Sequence, residues 1–80
     1  MSMSQTSELI VAQNPTIAVL GGTGDQGLGL AYRWASNGLS VMIGSRQPER
    51  AHEAALQVGH GVVGGSNDDV AAQCDIAVVA

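Results

Sequence analysis

Three glycines recur in the spacing G-x-G-x-x-G, as Gly22-Thr23-Gly24-Asp25-Gln26-Gly27, and Ser45, Arg46 and Arg50 follow further along the chain. These residues suit one kind of chemistry, the holding of phosphate groups. The glycine spacing says little alone. It points to a dinucleotide when a strand runs into it and a helix leaves it. Gly22 then turns the chain tightly after the strand. Gly24, lacking a Cβ, lets a pyrophosphate approach the backbone. Gly27 lets the helix lie close to the sheet. The helix start offers unpaired N–H groups and the positive end of a dipole. A loop that cradles a nucleoside triphosphate requires a lysine after its last glycine. The chain has no lysine, which removes that reading.

A site for NAD places a carboxylate about 20 residues beyond the glycines, where it holds the ribose hydroxyls. Here that stretch is Met42-Ile43-Gly44-Ser45-Arg46, without an acidic residue. Ser45 supplies a hydroxyl and Arg46 a guanidinium fork, the groups a 2′-phosphate requires. Arg50 stands four residues on, at the start of the next helix, within reach of the same phosphate. The cofactor favoured is therefore NADP(H) rather than NAD. Thr23 either donates to a phosphate or fills the turn. Asp25 would repel a pyrophosphate, so its carboxylate either caps backbone N–H groups or contacts ribose. His52 and His60 have no second ligand at metal spacing and read as solvated side chains. Cys74 reads as a buried, inert thiol. No acid–base pair or nucleophilic triad can be assembled, so catalytic residues are not assigned. Hydride chemistry would belong to the cofactor.

The elements that must position these groups follow from the apolar pattern. Thr16–Leu20 is a short apolar run suited to a strand buried on both faces. Asp25–Asn37 is a helix with Gly27, Leu30, Ala31 and Trp34 on one face, stopped by Gly38. Ser40–Gly44 is a second strand. Pro48 opens a second helix whose inner face carries Ala51, Ala54, Ala55 and Val58. Val62-Val63 reads as a short strand. Ser66 or Asn67 caps a short helix through Gln73, and 75–80 is a fourth strand. Alternating strands and helices with right-handed crossovers give an α/β fold, the N-terminal half of a Rossmann-type doubly wound parallel sheet, strand order 3-2-1-4.

Met1–Asn14, rich in Ser, Gln and Thr, reads as a flexible leader, and 15–80 as the dinucleotide-binding domain. That domain is expected to be truncated at its C-terminal end, with the fourth strand as an open edge. Eighty residues make one domain at most. The net charge of −4 with three arginines argues against nucleic-acid binding. One cysteine fits a reducing compartment, and no apolar stretch approaches a membrane span of about 20 residues. A cytoplasmic protein is expected.

Five stretches, I-A-V-L-G-G-T-G-D-Q-G-L-G-L-A at 17–31, R-W-A at 33–35, V-M-I-G-S-R at 41–46, E-R-A at 49–51 and C-D-I-A-V at 74–78, carry a family likeness. Together they resemble the NADPH-dependent reductases of the deazaflavin coenzyme F-420, the F420:NADP oxidoreductases. The resemblance implies reversible hydride transfer between nicotinamide C4 and deazaflavin C5, NADP(H) and F-420 as the reactants, and a homodimer. It implies that Thr23, Gly24, Asp25 and Gln26 line pyrophosphate and ribose, and that Ser45, Arg46 and Arg50 hold the 2′-phosphate. It also implies that the backbone of Ala80 lies near the cofactor. Parts of the pattern are similar to two other families. Steap-type metalloreductases share the I-G-S-R stretch. NmrA-like proteins share a G-x-T-G-x-Q-G loop, and some of them only sense the nicotinamide. A non-catalytic NADP(H)-binding module is thus the second expectation. Leu28 stands where typical short-chain dehydrogenases carry a glycine, and L-G-L-A with Gly44-Ser45-Arg46 favours the deazaflavin reductases.

Overall fold

A computed structural model describes residues 15–21 and 23–80. Met1–Asn14, read above as a leader, and Gly22 lie outside the described residues. The apolar run Thr16–Leu20 forms β1, with Ile17, Ala18 and Val19 all buried. It is followed by α1 (Asp25–Ser36), β2 (Ser40–Ser45), α2 (Pro48–Val58), β3 (Val63–Ser66), α3 (Asn67–Gln73) and β4 (Ile76–Val79). The sheet is four-stranded in the order β3-β2-β1-β4. Every pairing is parallel. This is the expected half of a doubly wound sheet, with β1 at its centre. β1 and β2 pair with Val19 opposite Ile43 and Leu20 opposite Gly44, so both strands deliver their C-terminal ends to the same edge. In open α/β sheets that edge is where ligands bind.

The core is made of small and branched aliphatics. Val19, Val41 and Ile43 from the sheet meet Ala31 and Ala35 of α1 and Ala51, Ala54 and Val58 of α2. The α2 face is the one expected. The α1 face differs: its buried residues are Gly27, Ala31 and Ala35. Leu30 is only half-buried, whereas Leu28 and Trp34 pack against the core from its rim. Small residues one turn apart let the helix settle close to the sheet, and the bulkier side chains then flank the contact instead of forming it.

Helix ends follow the local chemistry. Asn37 caps α1, and Gly38 takes φ +90° beyond it. The Asn37 side chain donates to the Arg33 carbonyl at 2.6 Å. Pro48 occupies the first turn of α2, as expected. Of the two cap candidates for α3, Ser66 takes the role: its Oγ accepts from the Asp69 N–H at 3.0 Å. Removing that acceptor in Ser66→Ala is expected to cost about 1 kcal/mol. A urea melt at constant m-value should read this as a lower midpoint; an unchanged midpoint would mean the cap contributes nothing.

β2 runs one residue further than expected, to Ser45. β3 runs along Val63-Gly64-Gly65-Ser66 rather than Val62-Val63. β4 is pinned to β1 at both ends. Asp75 N–H donates to the Thr16 carbonyl at 2.8 Å, and Ala80 N–H to the Leu20 carbonyl at 3.1 Å. Thr16 N–H donates in turn to Asp75 Oδ2 at 2.8 Å. Among the described residues no helix is long and apolar enough to cross a membrane.

Candidate dinucleotide site

The site lies at the C-terminal edge of β1 and β2. β1 ends at Leu20, and Gly21 turns the chain with φ +70°, a left-handed conformation that suits glycine. Its N–H donates to the Gly44 carbonyl at 2.9 Å, tying the start of the loop to β2. Gly24 is the N-cap of α1, in extended conformation and without a side-chain cap. A Cβ built on Gly24 would meet no heavy atom within 4 Å. Its backbone is one that any residue adopts, and the space beside it is open. Gly27 is buried inside α1, as the motif requires for close contact with the sheet.

Asp25 is the first helical residue and is exposed. The N-cap of α1 is Gly24, which places Asp25 one residue inside the helix, at its open N-terminal end. Gln26 is exposed beside it in the first turn.

β2 delivers Ser45 and Arg46. Ser45 is buried, and its Oγ accepts from the Gln47 N–H at 3.1 Å. With the oxygen occupied as an acceptor, the hydroxyl hydrogen remains to be donated. Gln47 is the N-cap of α2. Arg50 sits in the first turn of that helix, and both arginines are exposed.

A cleft of about 330 Å³ is lined by Gly21, Thr23, Ser45, Arg46, Gln47, Arg50 and Asn67. A second hollow of about 240 Å³ adjoins it, lined by Ser45, Arg46, Ser66, Asn67 and Asp68. The fold thus brings together four of the expected site residues, Thr23, Ser45, Arg46 and Arg50. Gly24, Asp25 and Gln26 stand at the start of α1, beside the cleft but outside its lining. Ala80 follows β4, hydrogen-bonded to Leu20 next to Gly21. Gly22 falls outside the described residues. Sequence reasoning missed Gly21, Gln47 and Asn67. The signal for Asn67 was present: two adjacent cap formers, Ser66 and Asn67, open a helix that needs only one.

Cys74 departs modestly from expectation. It is half-buried rather than fully enclosed, and its Sγ lies 3.4 Å from the Ala71 carbonyl.

A parallel half-sheet with a glycine turn after β1, an open helix start and two arginines beyond β2 belongs to the doubly wound α/β class, in which ligands such as dinucleotides bind at this edge. The family model for "NADP oxidoreductase coenzyme F420-dependent" matches residues 16–80. The F420-dependent NADP reductase of Methanothermobacter thermautotrophicus is 50% identical over 70 residues, which covers 79% of this chain and 30% of that protein. The reductase of the same name from Methanothermobacter marburgensis is 47% identical over 70 residues, covering 79% of this chain and 31% of the relative. That from Methanocaldococcus jannaschii is 42% identical over 72 residues, covering 79% and 32%. The chain belongs to the family of coenzyme F420-dependent NADP oxidoreductases. It spans about a third of the length of the curated relatives it matches.

Proposed function

We propose that this chain is the NADP(H)-binding portion of an oxidoreductase that passes a hydride between NADPH and the deazaflavin coenzyme F-420. The observation that carries the cofactor choice is the cleft itself, in which Ser45, Arg46 and Arg50 converge beyond β2 with Thr23 on the glycine-loop side. In that reading Thr23, Gly24, Asp25 and Gln26 with the α1 start take the pyrophosphate and its ribose. Gly27 keeps α1 close to the sheet. Ser45 donates its free hydroxyl hydrogen to the 2′-phosphate. Arg46 and Arg50 supply charge and forked donors to it. Ala80 offers backbone near the nicotinamide end. When bound, the dinucleotide supplies hydride chemistry at nicotinamide C4, oxidising NADPH as the deazaflavin gains hydride and a proton. The names of the three relatives, each an F420-dependent NADP reductase, support the deazaflavin as the second reactant. The family resemblance further supports a homodimer, and the single cysteine a reducing, cytoplasmic setting.

The test is direct. The complete oxidoreductase of which this chain is a portion, purified and mixed with NADPH and oxidised F-420 without oxygen, is expected to bleach the deazaflavin absorbance in step with NADPH loss, and to do so far more slowly with NADH, whereas the 80-residue portion alone is expected to show no turnover. Tight NADPH binding with no hydride transfer would overturn the enzymatic half of the reading and leave a dinucleotide-binding module.

A further inference from the structure

Asn67 opens α3 but does not cap it, because Ser66 already accepts from Asp69 N–H. Its side chain does something else. Asn67 Oδ1 accepts from the Gly21 N–H at 3.2 Å, across 46 residues of chain. The same N–H donates to the Gly44 carbonyl at 2.9 Å, so it is shared between β2 and α3. The end of β1, the end of β2 and the start of α3 therefore meet at one amide. Gly44 makes room for this. A Cβ there would fall 2.7 Å from Asn67 Oδ1, 3.1 Å from Asn67 Cα and 2.6 Å from Val70 Cγ2. An N–H facing the carboxamide requires its oxygen, so the NH2 end is left as a donor. Asn67 also lines both hollows, joining the glycine-loop side to the Ser45–Arg46 side.

We infer that Asn67 is a positioning residue for the pyrophosphate of a bound dinucleotide: it fixes the left-handed Gly21 from which the glycine loop starts. The inference rests on the reading of the cleft as a dinucleotide site. It separates two halves of recognition. Ser45, Arg46 and Arg50 act on the 2′-phosphate, which only NADP(H) carries. Asn67 acts through the loop on the pyrophosphate, which NADPH and NADH share. The residue is suited to this by being neutral. Aspartate would keep the acceptor for Gly21 N–H while placing a negative charge beside the phosphates.

The experiment measures dissociation constants of NADPH and NADH for the native protein, Asn67→Ala and Asn67→Asp at two salt concentrations, with the Gly21 amide resonance followed by NMR. Asn67→Ala is expected to shift that resonance and to weaken both dinucleotides about 5- to 30-fold by the same factor. Asn67→Asp is expected to keep the Gly21 resonance near its native position. It should bind both dinucleotides poorly at low salt and recover as salt screens the added charge. Native affinity for both dinucleotides in folded Asn67→Ala would overturn the inference, since a structural role alone lowers stability without touching affinity. So would a loss confined to NADPH. Should Asn67→Ala not fold, native affinity of Asn67→Asp at low salt would overturn it equally. Failure of the unsubstituted protein to bind either dinucleotide would instead overturn the reading of the cleft, and the inference with it.

Discussion

In Arg46→Ala, NADPH binding is expected to fall by about 1.5–3 kcal/mol, roughly 10- to 150-fold, with NADH binding nearly unchanged. Arg46 follows the last residue of β2 and lines the cleft beside the buried Ser45. It is exposed, so its cation is already solvated when no ligand is present. What it loses to water on binding is small, and what it gains is a charge-assisted, forked contact with a dianion. NADH carries only an uncharged 2′-hydroxyl at that place. The difference between the two cofactors therefore isolates the guanidinium from every contact they share. Arg46→Lys is expected to recover only part of the loss, because an ammonium keeps the charge but not the planar fork. Titration calorimetry with both dinucleotides checks this. Equal losses for NADPH and NADH would remove Arg46 from the 2′-phosphate.

The second large effect concerns the fold. Gly64→Ala is expected to destabilise the protein by about 3 kcal/mol or more. β3 and α2 approach so closely at this point that a Cβ on Gly64 would overlap the Ala51 carbonyl and come within 2.9 Å of His52 N. The obstacle is backbone, so no rotamer change relieves it; α2 must move as a body. Ala51, Ala54, Ala55 and Val58 are the buried face of that helix, and the movement would open the core they fill. A domain this small has only a few kcal/mol to lose. Thermal melts should show a drop of more than about 12 °C. Gly29→Ala is the matched control. Its Cβ would meet nothing within 4 Å, in an exposed position of α1. That change is expected to stabilise by about 0.5–1 kcal/mol. The same substitution with opposite signs at two sites tests the packing rather than the residue type. Similar midpoints for both variants would contradict it.

Much of the fold was legible because local signals agreed. The apolar run of β1, the small-residue faces of the helices, Pro48 at a helix start and Gly38 at a helix stop each pointed to the same alternation of strand and helix. Where the reading slipped, tertiary contact had overruled local preference. Val63–Ser66 contains two glycines, which strand propensity disfavours. Gly64 is present because α2 leaves no space for a side chain, and that spacing is invisible in the sequence. The apolar spacing of α1 puts Leu30 on its inner face, but the close helix–sheet approach selects Ala35 instead. That Ser45, Arg46 and Arg50 gather around one cleft was legible because they stand at a known distance from a glycine loop, at the end of β2 and the start of α2. Asn67 stood out in the sequence only as a surplus cap former, since its hydrogen bond to Gly21 exists only once the sheet has closed.

The inner place of β1 gives its two edges very different loops to close as the chain collapses. Its pairing with β2 needs only the first crossover, from Thr16 to Ser45. Its other edge waits for Asp75 and Ile76, with Thr16 and Asp75 separated by 59 positions. Closing so long a loop is slow, because its entropy is lost before the contacts form. Loop entropy alone thus favours pairing of β1 with β2 over the more distant docking of Asp75 on Thr16, which leaves one edge of β1 open in any chain that has not yet closed the longer loop. In such a chain the apolar β1 edge is the part of the molecule most prone to pair with a neighbouring chain. Asp75, which exchanges two hydrogen bonds with Thr16, is the fastener that ends the exposure.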